Sequence, residues 1–242
     1  METSTLAYVS GMSKTYGHVT AIRDVGFTVR SGEILGVIGP NGAGKTTLLE
    51  CVAGVQAADS GEVAFGASWS SYRGRCSVLF YVPDGIAPWP NQSVGWAIDF
   101  TLGFFGGRRD LYAAVAHDLN LEPLFGRTVG ALSKGQRKRL LLAIALLAPQ
   151  PVILIDEPFE GLDLRQSHEL EVTLRQHVSA GRTLVLSIHQ IADAARICNR
   201  FLLLSSGNVV AEGTLDELRQ AAGRRVEHAP EPDLEDIFLA LT

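Results

Sequence analysis

The run Gly39-Pro40-Asn41-Gly42-Ala43-Gly44-Lys45-Thr46-Thr47 has the residue types and spacing for phosphate chemistry. It fits G-x-x-x-x-G-K-[ST], a glycine-rich loop whose main-chain N–H groups turn inward around phosphate oxygens. Lys45 is placed to reach the outer phosphates of a nucleoside triphosphate, and the Thr46 hydroxyl to ligate Mg²⁺. Further on, Val152-Ile153-Leu154-Ile155-Asp156-Glu157 is an apolar run that ends in two carboxylates. A carboxylate at the C-terminal end of a parallel strand faces the crevice where ligands bind. There Asp156 would hold the Mg²⁺ shell, and Glu157 would accept a proton from an attacking water. The expected cofactors are therefore ATP and Mg²⁺.

Such a loop works only between a strand and a helix, so the flanking elements matter. Short apolar, β-branched runs predict strands at 6–9, 26–29, 34–38, 62–65, 78–82, 152–155, 183–187, 201–204 and 209–211. Helical patterns fall at 45–52, 111–119, 134–147, 164–179, 191–197 and 215–222. The runs at 34–38, 152–155 and 184–186 are almost continuously apolar, as in strands covered by helices on both faces. The class is α/β with a parallel core sheet. Residues 83–130 differ: they carry Trp89, Trp96, Phe100, Phe104, Phe105 and Phe125 with helical patterning and glycine breaks. They read as a helical lobe inserted at about 84–147. Residues 224–232 are polar and proline-containing, which predicts a loop. A last amphipathic helix follows at 234–241, so the chain divides into a domain at 1–223 and a tail at 224–242.

The bulk numbers bound the rest. A chain of 242 residues, 46% hydrophobic, can build a sizeable core without disulfides or metal staples. A net charge of −5 argues against a protein that coats nucleic acid, so no nucleic-acid partner is expected. Cys51, Cys76 and Cys198 have no metal-ligand spacing and read as buried apolar thiols in a reducing compartment. No basic stretch followed by an apolar run opens the chain, so a secretory signal is not expected. The longest apolar run, 140–148, is far short of the roughly twenty residues a spanning helix needs.

Five further features resemble one family, the ATP-binding-cassette (ABC) ATPases. Leu132-Ser133-Lys134-Gly135-Gln136 resembles its LSGGQ signature, a short helix upstream of the Asp156-Glu157 strand. Gly161-Leu162-Asp163 resembles its D-loop, and His189 its switch histidine. Tyr16 resembles the aromatic that stacks on adenine, and Tyr81-Val82-Pro83-Asp84 the segment in which the family usually places glutamine and sometimes glutamate. The resemblance covers nearly the whole chain. It implies a P-loop NTPase fold with a mostly parallel core sheet, an N-terminal antiparallel β subdomain and an inserted α-helical lobe.

The resemblance also implies a mechanism. Ser133, Gly135 and Gln136 of one chain would close over the γ-phosphate held by the phosphate loop of a second, with Asp163 nearby. His189 would contact that phosphate and align Glu157. Asp84 would reach Mg²⁺ through oxygen, with a carboxylate one methylene shorter than the usual glutamine and charged. Ser133 can cap the following helix, yet Lys134, Arg137, Lys138 and Arg139 crowd its first turns, where cations oppose the helix dipole. An anion docking there would relieve the conflict.

Expected partners are a second ABC ATPase subunit, as homodimer or heterodimer, and a separate transmembrane permease. The chain would then lie on the inner face of the cell membrane. The lobe's aromatics would either line a groove for that permease or form the lobe's own core. The C-terminal Leu234-Glu235-Asp236-Ile237-Phe238-Leu239-Ala240-Leu241-Thr242 is similar to the ending of ATPases that serve ABC-2-type exporters, which implies export. Two other readings stand beside this one: a soluble cassette ATPase acting on ribosomes or DNA, and a weakly hydrolysing regulatory subunit, the latter suggested by Asp84.

Overall fold

The computed structural model describes residues 4–66, 68–69, 72–223 and 232–242. Two sheets organise them. Strands β1 (Thr5–Tyr16), β2 (Val19–Arg30), β4 (Ser60–Phe65) and β5 (Ser68–Trp69) form an antiparallel sheet in the order β2-β1-β4-β5. The second sheet has the order β10-β9-β3-β8-β7-β6. It comprises β3 (Ile34–Ile38), β6 (Leu79–Val82), β7 (Val152–Asp156), β8 (Thr183–Ile188), β9 (Arg200–Ser205) and β10 (Asn208–Gly213). All its pairings are parallel except β9–β10.

The parallel strands are buried on both faces. In β3, Ile34 and Ile38 belong to one hydrophobic core while Leu35 and Val37 belong to the other. That split follows from the two-residue period of a strand. Helix α1 (Lys45–Ala53) contributes to the second core. Helix α5 (Lys134–Leu147) contributes to the first and is buried without a break from Leu140 to Leu147. The longest apolar run is thus a core helix, and among the described residues no helix is long and apolar enough to cross a membrane.

Arg200 ties the two sheets together. It is 2% exposed and pairs with Glu33 at 2.8 Å and with Glu212, and it donates to the Thr28 carbonyl at 3.0 Å. An unpaired buried guanidinium would be strongly destabilising, so the three partners belong together.

The remaining helices are α2 (Tyr72–Val78), α3 (Val94–Phe105), α4 (Tyr112–Asp118), α6 (Leu164–Ser179), α7 (Ile191–Ile197), α8 (Leu215–Ala222) and α9 (Leu234–Leu241). Three differences from expectation have physical causes. Helix α2 was not expected: it is short, carries Gly74, and runs directly into β6, so residue 78 ends a helix rather than opening a strand. Strands β1 and β2 run twelve residues each, because main-chain pairing continues through polar stretches that lack an apolar pattern. Cys76 is exposed rather than buried, whereas Cys51 is buried and Cys198 partly so. Most of the loop expected at 224–232 lies outside the described residues. Helix α9 buries Leu234 and Ile237 in the first core, and its Asp233 cap and Asp236 form a reciprocal capping box.

Helix α3 resolves the question of the lobe's aromatics. Its Val94, Ala97, Ile98, Thr101 and Leu102 are buried, while Trp96, Phe100 and Phe104 form an exposed stacked ladder on the other face. Trp89 packs edge-on against that ladder, and Phe105 against Phe80. Phe125 alone of the six packs against the core.

Candidate functional site

The glycine-rich loop leaves β3 at the centre of the parallel sheet and enters α1 at Lys45. Gly44 caps that helix at φ 102°, and no side chain caps its first N–H groups. The open N-terminus and its dipole make an anion cradle. Two glycines are required by close approach. A Cβ on Gly39 would lie 2.2 Å from the Leu204 carbonyl oxygen, and one on Gly44 would lie 2.4 Å from that of Ala21. Lys45 is 6% exposed, donates to the Gly39 carbonyl at 2.8 Å, and lies 3.6 Å from Glu157 Oε1.

Strand β7 delivers the carboxylates. Thr46 Oγ1 donates to Asp156 Oδ2 at 2.8 Å, joining the loop to the strand end. The buried Ser187 hydroxyl on the adjacent β8 donates to Asp156 Oδ1. It also accepts from the Glu157 N–H at 3.0 Å, which reaches the Ser187 carbonyl at 3.2 Å as well. Those bonds hold Glu157 at φ 48°. A non-glycine residue in the left-handed region costs on the order of 1–3 kcal/mol and persists where neighbours over-determine it, commonly at functional sites. His189 Nδ1 lies 2.6 Å from Glu157 Oε2. The donors of Thr46 and Asp156 are all oxygen, which suits Mg²⁺.

Tyr16, Asn41, Gly42, Gly44, Lys45, Thr46, Thr47, Asp84, Asp156 and Glu157 all face one cleft of about 440 Å³. Tyr16 stands at its rim, half exposed, with the Lys14 ammonium 5.4 Å from its ring centre. Pro40 and Ala43 serve the loop's shape: Pro40 accepts from Ala43 N at 3.1 Å. Asp84 reaches the cleft, but its Oδ1 lies 2.6 Å from Lys138 Nζ. Partial burial pushes the Asp84 carboxyl up. The Lys138 ammonium, with Lys134 beyond it, outweighs that and holds the group below the ordinary aspartate value.

The signature residues lie elsewhere. Ser133, Gly135, Gln136 and Asp163 share a second hollow of about 460 Å³, which has no lining residue in common with the first. Ser133 caps α5 in a reciprocal box with Gln136, and Asp163 caps α6 by accepting from Gln166 N at 2.8 Å. A Cβ on Gly135 would meet the Gly161 carbonyl at 3.0 Å, so the signature turn is seated directly on the segment resembling the D-loop. Lys134 lays its stem along Gly161 and pairs with Glu160 at 2.6 Å, which accounts for a lysine at that signature position. The four cations crowding the first turns of α5 are engaged within the chain: Lys134 by Glu160, Lys138 by Asp84, Arg137 by the Leu132 carbonyl at 3.2 Å, and Arg139 by the Leu119 carbonyl at 3.4 Å. Intramolecular partners thus relieve much of the dipole conflict expected to call for an outside anion.

Two residues of this network were not singled out from the sequence for the roles they hold. Ser187 is a polar residue inside the apolar run of β8, a signal that could have marked it. Lys138 carried no signal beyond its charge.

A strand, a glycine-rich loop that opens a helix, and a hydrogen bond from Thr46 in that helix's first turn to Asp156 at the end of a parallel strand define a P-loop nucleotide-binding protein. The comparisons agree. The family model described as ABC transporter matches residues 22–160. The chain is 35% identical over 213 residues to a sulfate/thiosulfate import ATP-binding protein of Agrobacterium fabrum, covering 85% of this chain and 62% of that one. It therefore spans less than two thirds of that relative's length. It is 35% identical over 197 residues to a thiamine import ATP-binding protein of Salmonella typhimurium, covering 78% and 83%. It is 32% identical over 222 residues to Nod factor export ATP-binding protein I of Ralstonia nicotianae, covering 87% and 67%. A solved ATP-binding subunit of an ABC transporter superposes with a TM-score of 0.86 at 27% identity, over 98% of this chain and 99% of that one. The chain belongs to the ABC transporter family of ATP-binding proteins, and its α/β fold is that of the family's nucleotide-binding cassette.

Proposed function

We propose that this chain is the ATP-hydrolysing subunit of a membrane transporter, working as a head-to-tail pair beneath a separate permease. The observation that carries the reading is the separation of its motifs into two hollows. The phosphate loop, Asp156 and Glu157 face one, while Ser133, Gly135, Gln136 and Asp163 face the other. Each nucleotide would then lie between the cleft of one subunit and the signature hollow of the next. Residues 1–223 would act as the ATPase domain, with 84–147 as the lobe that meets the permease and 224–242 as a tail.

Within the cleft, Glu157 accepts the proton of the attacking water, and His189 on its Oε2 fixes the direction of that carboxylate. Lys45 and the N-terminus of α1 hold the phosphates. Tyr16 stacks on the base. Thr46 and Asp156 would hold Mg²⁺, with Asp84 near enough to approach it, and the ion would neutralise charge on the phosphates. ATP joins the pair and its hydrolysis releases it, because the nucleotide binds the closed state better than the open one.

Support for the permease comes from the exposed aromatics of α3. Trp89, Phe100, Phe104 and Phe105 with Phe80 and Ile86 line an apolar cavity of about 360 Å³. An exposed apolar patch of this kind marks an interaction surface. A permease there would place the chain on the inner face of the membrane. Import and export proteins both appear among the relatives, so export rests on the C-terminal resemblance.

Glu157→Gln tests the core of the proposal. The variant is expected to keep ATP binding, lose hydrolysis by roughly 10²–10⁴-fold, and dimerise when ATP and Mg²⁺ are added. Unchanged hydrolysis, or a monomer at saturating ATP and Mg²⁺, refutes it. Co-purification with a polytopic membrane protein tests the partner, and a soluble complex without one counts against it. ATP-driven cargo movement away from the ATPase face of reconstituted vesicles tests export.

A further inference from the structure

Lys138 sits in the second turn of α5 with its side chain 2% exposed. Its ammonium makes two contacts: Asp84 Oδ1 at 2.6 Å and the main-chain carbonyl of Asp156 at 3.1 Å. An ammonium this deeply buried is held only where partners repay its lost hydration. Lys138 and its two partners come from three separate segments. Lys138 belongs to the helix that begins at the signature turn. Asp84 follows β6, and Asp156 ends β7 beside Thr46. Asp84 also meets Glu160, whose carboxylate takes Lys134 at 2.6 Å. A chain of charges therefore runs from the phosphate-loop cleft to the signature hollow within one subunit.

The electrostatics of the cleft explain why such a cation is needed. Asp84, Asp156 and Glu157 are three carboxylates lining a space read as a triphosphate site. Where the family usually has a neutral glutamine, this chain adds a negative charge. We infer that Lys138 is a positioning residue that turns Asp84 from a repulsive carboxylate into a fixed half of an ion pair, and so clamps the signature helix to the phosphate cleft. The pair is a unit: the charge at 84 is compatible with the site only because of the charge at 138. This inference rests on the reading of the cleft as the ATP site.

The experiment compares the parent with Asp84→Gln, Lys138→Gln, the double variant Asp84→Gln/Lys138→Gln, and Lys138→Arg. Affinity for a fluorescent ATP analogue with Mg²⁺ and the thermal midpoint are measured for each. Lys138→Gln leaves the Asp84 carboxylate facing phosphate, and affinity is expected to fall about tenfold. Added salt should recover part of that loss by screening. Asp84→Gln leaves the buried ammonium without its carboxylate, so its midpoint falls. The double variant returns to within about threefold of the parent affinity, and Lys138→Arg keeps it. Should Lys138→Gln fail to fold, the double variant carries the test. Parent-like affinity in Lys138→Gln overturns the inference. So does a double variant that is unfolded, or whose affinity is the product of the single effects. A purely structural pair would move midpoints and leave affinities alone, which also overturns it. A parent that does not bind the analogue sinks the ATP reading itself, whatever the variants do.

Discussion

Ser187→Ala isolates the hydroxyl that holds the Asp156 carboxylate and the Glu157 main chain. In the parent that hydroxyl donates to Asp156 Oδ1 and accepts from the Glu157 N–H at 3.0 Å. The two bonds differ in weight. Glu157 N–H keeps the Ser187 carbonyl at 3.2 Å, so its loss is small. The bond to Asp156 is made to a carboxylate that is 2% exposed. Hydrogen bonds to charged groups contribute about 1.5–3 kcal/mol, so the variant should lose about 2 kcal/mol. For a domain of this size, that lowers the thermal midpoint by about 4–8 °C. Asp156 keeps the Thr46 bond on Oδ2 at 2.8 Å, so the carboxylate stays near its place but turns more freely. Mg²⁺-dependent ATP affinity should then fall by about threefold to tenfold, the share of about 0.7–1.4 kcal/mol that reaches the ligand. Thermal melts and nucleotide titrations with and without Mg²⁺ measure both quantities. A variant that melts within about 1 °C of the parent and binds Mg²⁺–ATP equally would refute the claim that Ser187 holds Asp156.

Gly44→Ala should cost more than Gly42→Ala in both stability and ATP affinity. Both glycines have positive φ, but only at Gly44 would the new Cβ strike backbone, 2.4 Å from the Ala21 carbonyl oxygen. Equal losses in melts and titrations would show that the close approach does not matter. Desolvation, with Arg182 nearby, holds the His177 imidazole below its ordinary value of 6.5. As pH falls through 6.5 the unfolded chain takes up the proton first, so stability is lost from there down to the lowered folded value. Urea midpoints between about pH 7.5 and pH 5 should therefore fall less steeply for His177→Gln, and parallel slopes would exclude this source. Phe104 is 72% exposed. Phe104→Ser should change stability by less than about 0.5 kcal/mol while permease retention in pull-down is lost; retained permease would move the docking surface elsewhere.

Much of the fold was legible because its signals are local. The helices at 134–147, 164–179, 191–197, 215–222 and 234–241 have the bounds their patterns predict. The sequence places helix α3 only within a helical lobe, without bounds: its apolar residues fall on both faces, and Gly95 and Gly103 interrupt it. Its aromatics looked the same in sequence whether they were core or surface. Only the packing of Val94, Ala97, Ile98 and Leu102 decided that Phe100 and Phe104 face outward.

The sequence by itself determined the α/β class and the place of the glycine-rich loop between a buried strand and a helix. A phosphate loop is contiguous, and a buried parallel strand is an unbroken apolar run. Tertiary structure alone decided how the pieces are tuned. Lys138 is 54 residues from Asp84, and Ser187 is 31 from Asp156. Neither pairing leaves a local pattern, because a hydrogen bond depends on distance in space and not along the chain. At Asp84 the sequence showed a short carboxylate where glutamine is usual, and the fold showed the cation that answers it.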